Sequence, residues 1–165
     1  MKVCFLCSEY PPAPHGGIGS VTQVLGRGLV ARGHEVRVIG SYLEPLASTG
    51  PEWDEGVRVW RLRRPKARLG WIAARYQVFR QVAAWARQGQ IDVVECPDWE
   101  GWAAGWPKLS VPVVARLHGS QAYFAAELRQ KCGKSARWLE SASLERSDFW
   151  CSVSRYTKGK TMRCV

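Results

Sequence analysis

A glycine-rich loop is the first group of residues whose types and spacing suit ligand chemistry. Residues 15–20, His-Gly-Gly-Ile-Gly-Ser, lead from a loop into a predicted helix. Main-chain N–H groups and the helix dipole favour an anion such as phosphate at such a position. The adjacent Gly16 and Gly17 let the backbone approach a ligand with no Cβ in the way. The alternative interpretation is that the two glycines only permit a positive φ in a turn.

Two other phosphate-binding motifs do not fit this loop. A G-x-G-x-x-G fingerprint beginning at Gly17 would end at Thr22 instead of a third glycine, and the connection from the first strand is too long for its tight turn. The second strand ends without a carboxylate for a ribose hydroxyl. No G-x-x-x-x-G-K-[ST] sequence occurs, so both NAD binding and a P-loop are disfavoured.

Further candidates follow two later strands. His118-Gly119 comes directly after an apolar run, which predicts an imidazole at the rim of a binding crevice, able to donate or accept a hydrogen bond. A structural histidine is the alternative. Asp98 and Glu100 follow another strand and would suit paired acids, but we favour Asp98 as the N-cap of a short helix.

The cysteines and histidines do not predict a metal site. Cys4 and Cys7 form a C-x-x-C within an apolar strand, where an offset of three places the two sulfurs on opposite faces, so two buried strand cysteines are expected. The other four cysteines are single, and the three histidines lie far apart in the sequence. The six cysteines therefore favour a reducing compartment over a disulfide framework.

Alternating strands and helices would position these residues. Six apolar runs predict strands at 2–8, 35–39, 57–62, 91–96, 112–117 and 149–153. Helices are expected from Ser20, as N-cap, to Gly33, from about Asp98, and over 121–131 and 135–146. A further helix is expected over 68–88, with one apolar face formed by Leu69, Ile72, Tyr76, Phe79 and Ala83. The pattern predicts an α/β fold, a Rossmann-like doubly wound parallel sheet of about six strands with helices on both faces. Its crevice would be lined by 9–19, 97–100, 118–120 and 154–157.

Composition agrees with one globular domain and leaves two features to explain. The chain has 165 residues, 46% of them hydrophobic, and no apolar run of membrane-spanning length or secretory signal pattern. We therefore expect a cytoplasmic protein. The net charge of +10 and the nine tryptophans are unusual for that class.

Five segments in order carry a resemblance to a known family. They are Ser-Glu-Tyr-Pro-Pro at 8–12 with His-Gly-Gly-Ile-Gly at 15–19, Leu-Val-Ala-Arg-Gly-His-Glu-Val at 29–36, Ile-Asp-Val-Val at 91–94, Leu-His-Gly at 117–119 and Val-Ser at 153–154. Together they resemble the N-terminal half of a GT-B glycosyltransferase, more narrowly of family 4, the group 1 enzymes related to glycogen and sucrose synthases. The resemblance covers nearly the whole chain.

The resemblance implies a fold of two Rossmann-like domains and roles for four residues. Gly16 and Gly17 would contact the diphosphate of a nucleotide-sugar donor, His118 the transferred sugar, and Ser154 the donor through the family's Val-Ser segment. The N-terminal domain would supply the acceptor pocket, whose residues are unknown. Transfer would retain anomeric configuration and would use no metal and no cofactor beyond the nucleotide-sugar co-substrate.

The family's C-terminal domain does not occur in this sequence. That domain carries a basic pair for the diphosphate and the glutamates of an E-x7-E motif, so no complete catalytic set is present. Because charge stabilisation at the leaving diphosphate is the main electrostatic task of such a catalyst, we expect the chain alone to be inactive. We expect residues 1–165 to be an apparently truncated acceptor-side domain that works with a missing C-terminal domain or a separate donor-binding chain.

The positive charge is concentrated in one segment. Between Val57 and Ile91 there are nine Lys or Arg residues and no Asp or Glu, with Trp60, Trp71 and Trp85 interleaved. Such a segment would suit an anionic membrane surface at the inner face, beside a saccharide or lipid-linked acceptor. A solvated arginine-rich surface is the alternative.

Two runner-up functions differ in class. Nucleic-acid binding rests on charge and aromatics without any recognition motif, so no nucleic-acid partner is expected. A non-catalytic or split-enzyme partner domain, binding acceptor or membrane, would place Trp99, Trp102 and Trp106 in an interface, although core packing explains Trp102 and Trp106 equally well.

Overall fold

The computed structural model describes residues 1–43, 46–48 and 50–164 of the chain. The elements in order are β1 (Lys2–Leu6), α1 (Gly17–Val30), β2 (Glu35–Tyr42), β3 (Glu52–Asp54), β4 (Val57–Arg63), α2 (Gly70–Arg87), β5 (Val93–Pro97), a 3₁₀ turn (Trp99–Gly101), β6 (Val113–Leu117), α3 (Gln121–Glu127), α4 (Lys134–Arg146), β7 (Phe149–Ser152) and α5 (Arg155–Cys164). The strands are ordered β3-β4-β2-β1-β5-β6-β7 in the sheet.

The α/β prediction is confirmed, with one strand more than expected. All six predicted strands form, and their ends differ from the predicted ones by a few residues. The additional strand, β3, pairs antiparallel with β4 through a turn at Glu55 and Gly56, both of which have positive φ. The strand pairs β1–β2, β2–β4 and β6–β7 are parallel, so the sheet is mostly parallel.

The chain divides into two compact units. The first comprises Met1–Val94 with Leu109–Val111, and the second comprises Glu95–Lys108 with Pro112–Val165. In the first, every residue of β2 after Glu35 is buried, which is typical of a central parallel strand covered on both faces. Val3, Phe5 and Cys7 pack with α1 residues such as Leu25 on one face.

The opposite face of the first unit is covered by α2. Trp85 of α2 lies edge-on to Trp60 of β4, with ring centroids 4.6 Å apart, and beneath the guanidinium of Arg37. Cys4 lies near Arg37, whereas Cys7 packs in the cluster on the α1 face of the sheet. Both cysteines are buried, and burial raises the pKa of the Cys4 thiol to about 12 and that of Cys7 to about 11. They are therefore the buried strand cysteines that the alternation predicts.

Helix α2 buries a different face from the one the sequence indicates. Three of the five residues of the predicted face are exposed, Leu69 by 61%, Ile72 by 46% and Tyr76 by 60%, whereas Phe79 is half-buried and Ala83 is buried. Apart from Trp85, the buried residues of α2 are small or compact, namely Gly70, Ala74, Val78, Val82, Ala83 and Ala86. Small side chains let a helix approach a sheet closely, so the Ala/Val stripe faces the sheet and the larger apolar stripe is left at the surface.

Three helix boundaries also differ from the predictions. Helix α1 begins at Gly17, so Ser20 is not its N-cap; the Ser20 hydroxyl instead donates to the carbonyl of Gly16 at 3.1 Å. Helix α3 ends at Glu127, before Arg129 with its φ of 54°. The helix expected near Asp98 is a single 3₁₀ turn.

The C-terminal segment forms a helix that is not among the predicted ones. Residues 154–165 are short and basic in sequence, yet Arg155–Cys164 forms α5. Its first turn is capped by Ser154, whose Oγ accepts from the Thr157 amide at 3.0 Å, and Lys160 pairs with Glu127 of α3 at 3.0 Å. None of the helices in the described part of the chain is both long and apolar enough to cross a membrane.

Candidate functional site

The first two glycines of the loop are required neither by backbone geometry nor by packing. Gly16 is the N-cap of α1 with φ −102°, and Gly17 is the first helical residue with no positive φ. A Cβ on Gly17 would meet nothing within 4 Å, and one on Gly16 would make only ordinary contact with the Glu9 carboxylate. The alternative that these glycines permit a positive φ is therefore wrong.

Gly19 is the structurally demanding glycine. A Cβ there would lie 2.1 Å from the carbonyl oxygen of Glu9 and 2.7 Å from Cβ of His15. The amide of Gly19 donates to Oε1 of Glu9 at 2.7 Å, so a carboxylate of the chain already occupies part of the helix N-terminus. Sequence reasoning did not single out Glu9; its place after the first strand, ten residues before Gly19, carries no recognisable capping signal.

A buried arginine anchors the segment before the glycines. Arg61 of β4 donates from Nη1 to the Tyr10 carbonyl at 2.7 Å and from Nη2 to the Pro11 carbonyl at 2.5 Å. Its Nε pairs with Glu52 at 3.0 Å, and its guanidinium lies over the rings of Tyr10 and Tyr42. Because the Arg61 side chain is only 3% exposed, this charge is structural and does not belong to a basic surface.

The additional strand β3 supplies a second anchor. Asp54 accepts from the Tyr10 hydroxyl at 2.7 Å and from Gln23 at 3.0 Å, and it forms a two-bond pair with Arg27 of α1. The Arg27 guanidinium holds the pKa of Asp54 down to about 2, while burial raises the pKa of the Tyr10 hydroxyl. The sequence predicts neither β3 nor, therefore, the hydrogen bonds of Asp54 that join the loop to α1.

His118 lies in the second unit, at the end of β6, and is half-buried. Its amide donates to Oδ1 of Asp98 at 2.9 Å, and the amide of Gly119 donates to Oδ2 at 3.1 Å. Gly119 has φ 117°, a value that favours glycine. One carboxylate thus fixes the turn that carries the imidazole.

Asp98 takes the predicted N-cap position of the short helix, but its side chain does not cap that helix. Asp98 precedes the 3₁₀ turn but makes no side-chain bond to it; both carboxylate oxygens accept from the His118 turn instead. Asp98 is fully buried, and burial raises its pKa to about 6 although the two amides oppose that change. Both carboxylate oxygens are therefore satisfied by the amides of His118 and Gly119.

A second buried carboxylate holds the residues that follow. Glu140 of α4, 1% exposed, accepts from the amides of Gln121 at 2.8 Å and Ala122 at 3.1 Å. Ser120 Oγ accepts from the Tyr123 amide at 3.1 Å. Five amides between 118 and 123 are therefore bound by side chains, and burial raises the pKa of Glu140. Sequence alone could not assign Glu140, which lies within a helical pattern.

Ser154 follows β7, the strand paired with β6, and is exposed. Its hydroxyl accepts from the Thr157 amide and lies 2.9 Å from Thr157 Oγ1. His118 and Ser154 thus follow the carboxyl ends of neighbouring parallel strands in the second unit, whereas Gly16 and Gly17 belong to the first unit. Their roles toward a donor stay predictions.

The tryptophans at 99, 102 and 106 have divided roles. Trp102 and Trp106 are each 6% exposed, so core packing accounts for them. Trp99 is half-buried, with its ring edge-on to Phe124 at 6.1 Å. The helical spacing does not arise because the local helix ends at Gly101.

Metal ligands do not converge in the part of the chain described. No three His, Cys, Asp or Glu side chains within residues 1–43, 46–48 and 50–164 form a group that could hold a metal ion. The six cysteines are free thiols.

A mostly parallel, Rossmann-like sheet with a glycine loop after β1 and a histidine after β6 defines the class as a GT-B-type domain. The chain belongs to the glycosyl transferase 4-like domain family, which residues 16–160 match. It is 27% identical over 166 residues to an uncharacterized glycosyltransferase of Methanocaldococcus jannaschii, covering 96% of this chain and 41% of that protein.

Solved structures show the same fold. A sucrose-phosphate synthase of Thermosynechococcus elongatus superposes with a TM-score of 0.76 and 17% identity, over 98% of this chain and 44% of that one. A second structure of the enzyme from the same organism gives a TM-score of 0.63 and 14% identity, over 99% of this chain and 82% of that chain. The chain thus spans less than half the length of the glycosyltransferase and of the first synthase chain.

Proposed function

We propose that this chain is the acceptor-side domain of a retaining glycosyltransferase, which transfers a sugar from a nucleotide-sugar donor to a saccharide or lipid-linked acceptor. The observation that carries the proposal is the pair Gly16 and Gly17 at the N-terminus of α1. Open space surrounds Gly17 and no Cβ screens its amide, so a ligand would be able to approach the main chain there. A diphosphate oxygen would accept from these amides.

His118 would contact the donor sugar. Its turn is held by Asp98, and the residues after it by Glu140, so the imidazole is presented by an ordered backbone. Preorganised groups of this kind stabilise developing charge without reorganisation at the moment of reaction. We assign Asp98 and Glu140 as positioning residues for that contact.

The donor part is tested with Gly17→Ala. Binding of UDP-, GDP- and ADP-sugars to the purified chain is followed by amide chemical shifts. The variant keeps its amide, but its methyl group would keep a phosphate oxygen away from the main chain, so we expect binding to weaken by about tenfold, the worth of one charge-assisted hydrogen bond. Gly133→Ala is the matched control, because Gly133 also stands at a helix N-terminus, as the N-cap of α4, with open space around it. Equal affinity of all three proteins, or no binding of any nucleotide sugar, would contradict the assignment.

The transfer part is tested by turnover. The purified chain is expected to transfer no sugar alone, because the groups that would stabilise the leaving diphosphate belong to the donor-binding domain. Product formed by the 165-residue chain alone from any nucleotide sugar would overturn this proposal.

Contact with an anionic membrane surface is a second proposal, favoured by the exposed face of α2. Leu69, Ile72 and Tyr76 are exposed there, and Arg75 and Arg80 stack over Trp71 and Tyr76, with distances of 5.7 and 5.8 Å to the ring centroids. Apolar and basic side chains on one helix suit a headgroup boundary. Cosedimentation with anionic vesicles at low salt is expected, and its absence would remove the proposal.

A further inference from the structure

A groove in the first unit lies between the end of β4 and helix α2. It has a volume of about 380 Å³ and is lined by Leu62, Arg63, Gln77, Arg80, Gln81 and Ala84. Leu62 and Arg63 are the last residues of β4, which runs parallel to β2, as β2 does to β1. The groove therefore reaches the carboxyl end of β4, and α/β sheets bind ligands at the carboxyl ends of their strands.

The polar lining consists of hydrogen-bond donors suited to an anion. Gln77, Arg80, Gln81 and Ala84 recur at helical spacing, so α2 presents one face with a guanidinium flanked by two amides. The guanidinium of Arg80 lies over the Tyr76 ring, and its N–H groups point outward in its own plane. Such a planar fork matches the oxygens of a phosphate.

Charge around the groove favours an anion as well. The segment 57–91 contains nine Lys or Arg residues and no Asp or Glu. Arg61 is buried beneath the loop, and Arg58 stacks on Trp53 and pairs with Glu35, so we do not count these two charges toward the groove. Arg63 and Arg80 are both exposed at the groove, where they would reinforce each other's attraction for an anion.

The exposed apolar stripe of α2 leads toward this groove. Leu69, Ile72, Tyr76 and Arg80 follow one another at offsets of three and four, so they lie along one side of the helix. Arg80 is thus shared between the stripe and the groove. The arrangement offers apolar surface next to donors for an anionic group.

We propose that this groove binds the phosphoryl group of a phosphate-bearing acceptor. That the ligand is an acceptor rests on the proposed function, whereas phosphate binding by the groove does not. The phosphate would come either from a soluble phosphorylated sugar or from a lipid headgroup, and the chemistry that Arg63, Gln77, Arg80 and Gln81 recognise is the same in both cases.

The test measures binding of inorganic phosphate to the purified chain without any nucleotide sugar. Side-chain Nε–Hε signals of Arg63 and Arg80 and amide signals of Gln77 and Gln81 are followed by NMR during titration at low salt. We expect saturable shifts, and about tenfold or greater weakening in the Arg63→Gln/Arg80→Gln double variant. The matched control is Arg68→Gln/Arg87→Gln, which removes two exposed charges of the same segment outside the groove.

The controls separate local binding from general charge. Thermal unfolding checks that both double variants stay folded, as expected for exposed side chains. Saturable shifts in the native chain that persist in Arg68→Gln/Arg87→Gln and weaken only in Arg63→Gln/Arg80→Gln support phosphate binding in the groove. Shifts that are absent, or equally weakened in both pairs, overturn it.

Vesicles identify the source of the phosphate. Flotation with phosphatidic acid in phosphatidylcholine, compared with phosphatidylcholine alone, is measured for the native chain, the double variants and Ile72→Gln. Loss of flotation on Arg63→Gln/Arg80→Gln and on Ile72→Gln, with retention in the control pair, supports the groove with a lipid source. Phosphate binding without flotation of any protein supports it with a soluble source. Because no donor is present, failure of the transferase proposal leaves these results unaffected.

Discussion

Individual glycines in the loop after β1 serve different purposes. Gly19 is packed against the main chain of Glu9, whereas Gly17 has open space around it. We expect Gly19→Ala to lower the free energy of unfolding by about 1–3 kcal/mol, because the added methyl has no room. Gly17→Ala is expected to be neutral or slightly stabilising. Urea denaturation measures both, and equal effects of the two substitutions would contradict the packing.

The buried carboxyl of Asp98 gives a pH-dependent contribution to stability. Its folded pKa, about 6, lies above the ordinary 3.8, so folding favours the protonated form. The stabilisation that the protonated carboxyl contributes is fully present below about pH 4 and is lost as pH rises through about 6. It amounts to on the order of 3 kcal/mol in total.

Two measurements check this. The ¹³C carboxyl shift of Asp98 should titrate with a midpoint near pH 6, and the difference in unfolding free energy between the native chain and Asp98→Asn should fall between pH 4 and 6. The opposite sign of that difference, or a midpoint below 4, would refute the assignment.

At the scale of elements, α5 is stabilised by its cap and by its contact with α3. Ser154 caps the first turn, and Glu127 of α3 accepts from Lys160 and from the Tyr156 hydroxyl. We expect Ser154→Ala to cost about 1 kcal/mol, because the Thr157 amide loses its acceptor. Ser154→Asp, which keeps a capping oxygen, is the control and should retain stability. Amide exchange at Thr157 should accelerate in the alanine variant, and unchanged exchange would argue against the cap.

Among the predicted elements, buried central strands were the most accessible to sequence reasoning. The runs of β1 and β2 show this best, because a parallel strand covered on both faces needs mostly apolar residues. Strand β3 was not predicted because Glu-Trp-Asp, with three residues, is too short to establish an alternation; it is held by pairing with β4 and by the bonds of Asp54. The Glu55-Gly56 turn was the one available signal.

For the molecule as a whole, the positive charge divides into structural and surface parts. Arg61 is buried beneath the loop, whereas Arg80 is exposed on α2. We expect Arg61→Leu to cost about 3–5 kcal/mol, because Glu52 and the carbonyls of Tyr10 and Pro11 lose their partner. Arg80→Gln should stay within about 0.5 kcal/mol of the native chain. Urea midpoints distinguish them, and similar midpoints would reject this division.

Fold class and family were accessible from the sequence, since hydrophobic period and motif order are local properties of the chain. The positions of Gly16, Gly17, His118 and Ser154 at the ends of strands or helices also followed from the sequence, whereas their roles toward a donor stay predictions. Only the tertiary structure decided which group each buried polar side chain binds. Asp98 bonds to a turn 20 residues away rather than to its own helix, and Glu140 reaches the start of α3. Likewise α2 turns Trp85 and several small residues toward the sheet and leaves Leu69, Ile72 and Tyr76 exposed. Such choices depend on which atoms meet after folding, and sequence spacing does not contain that information.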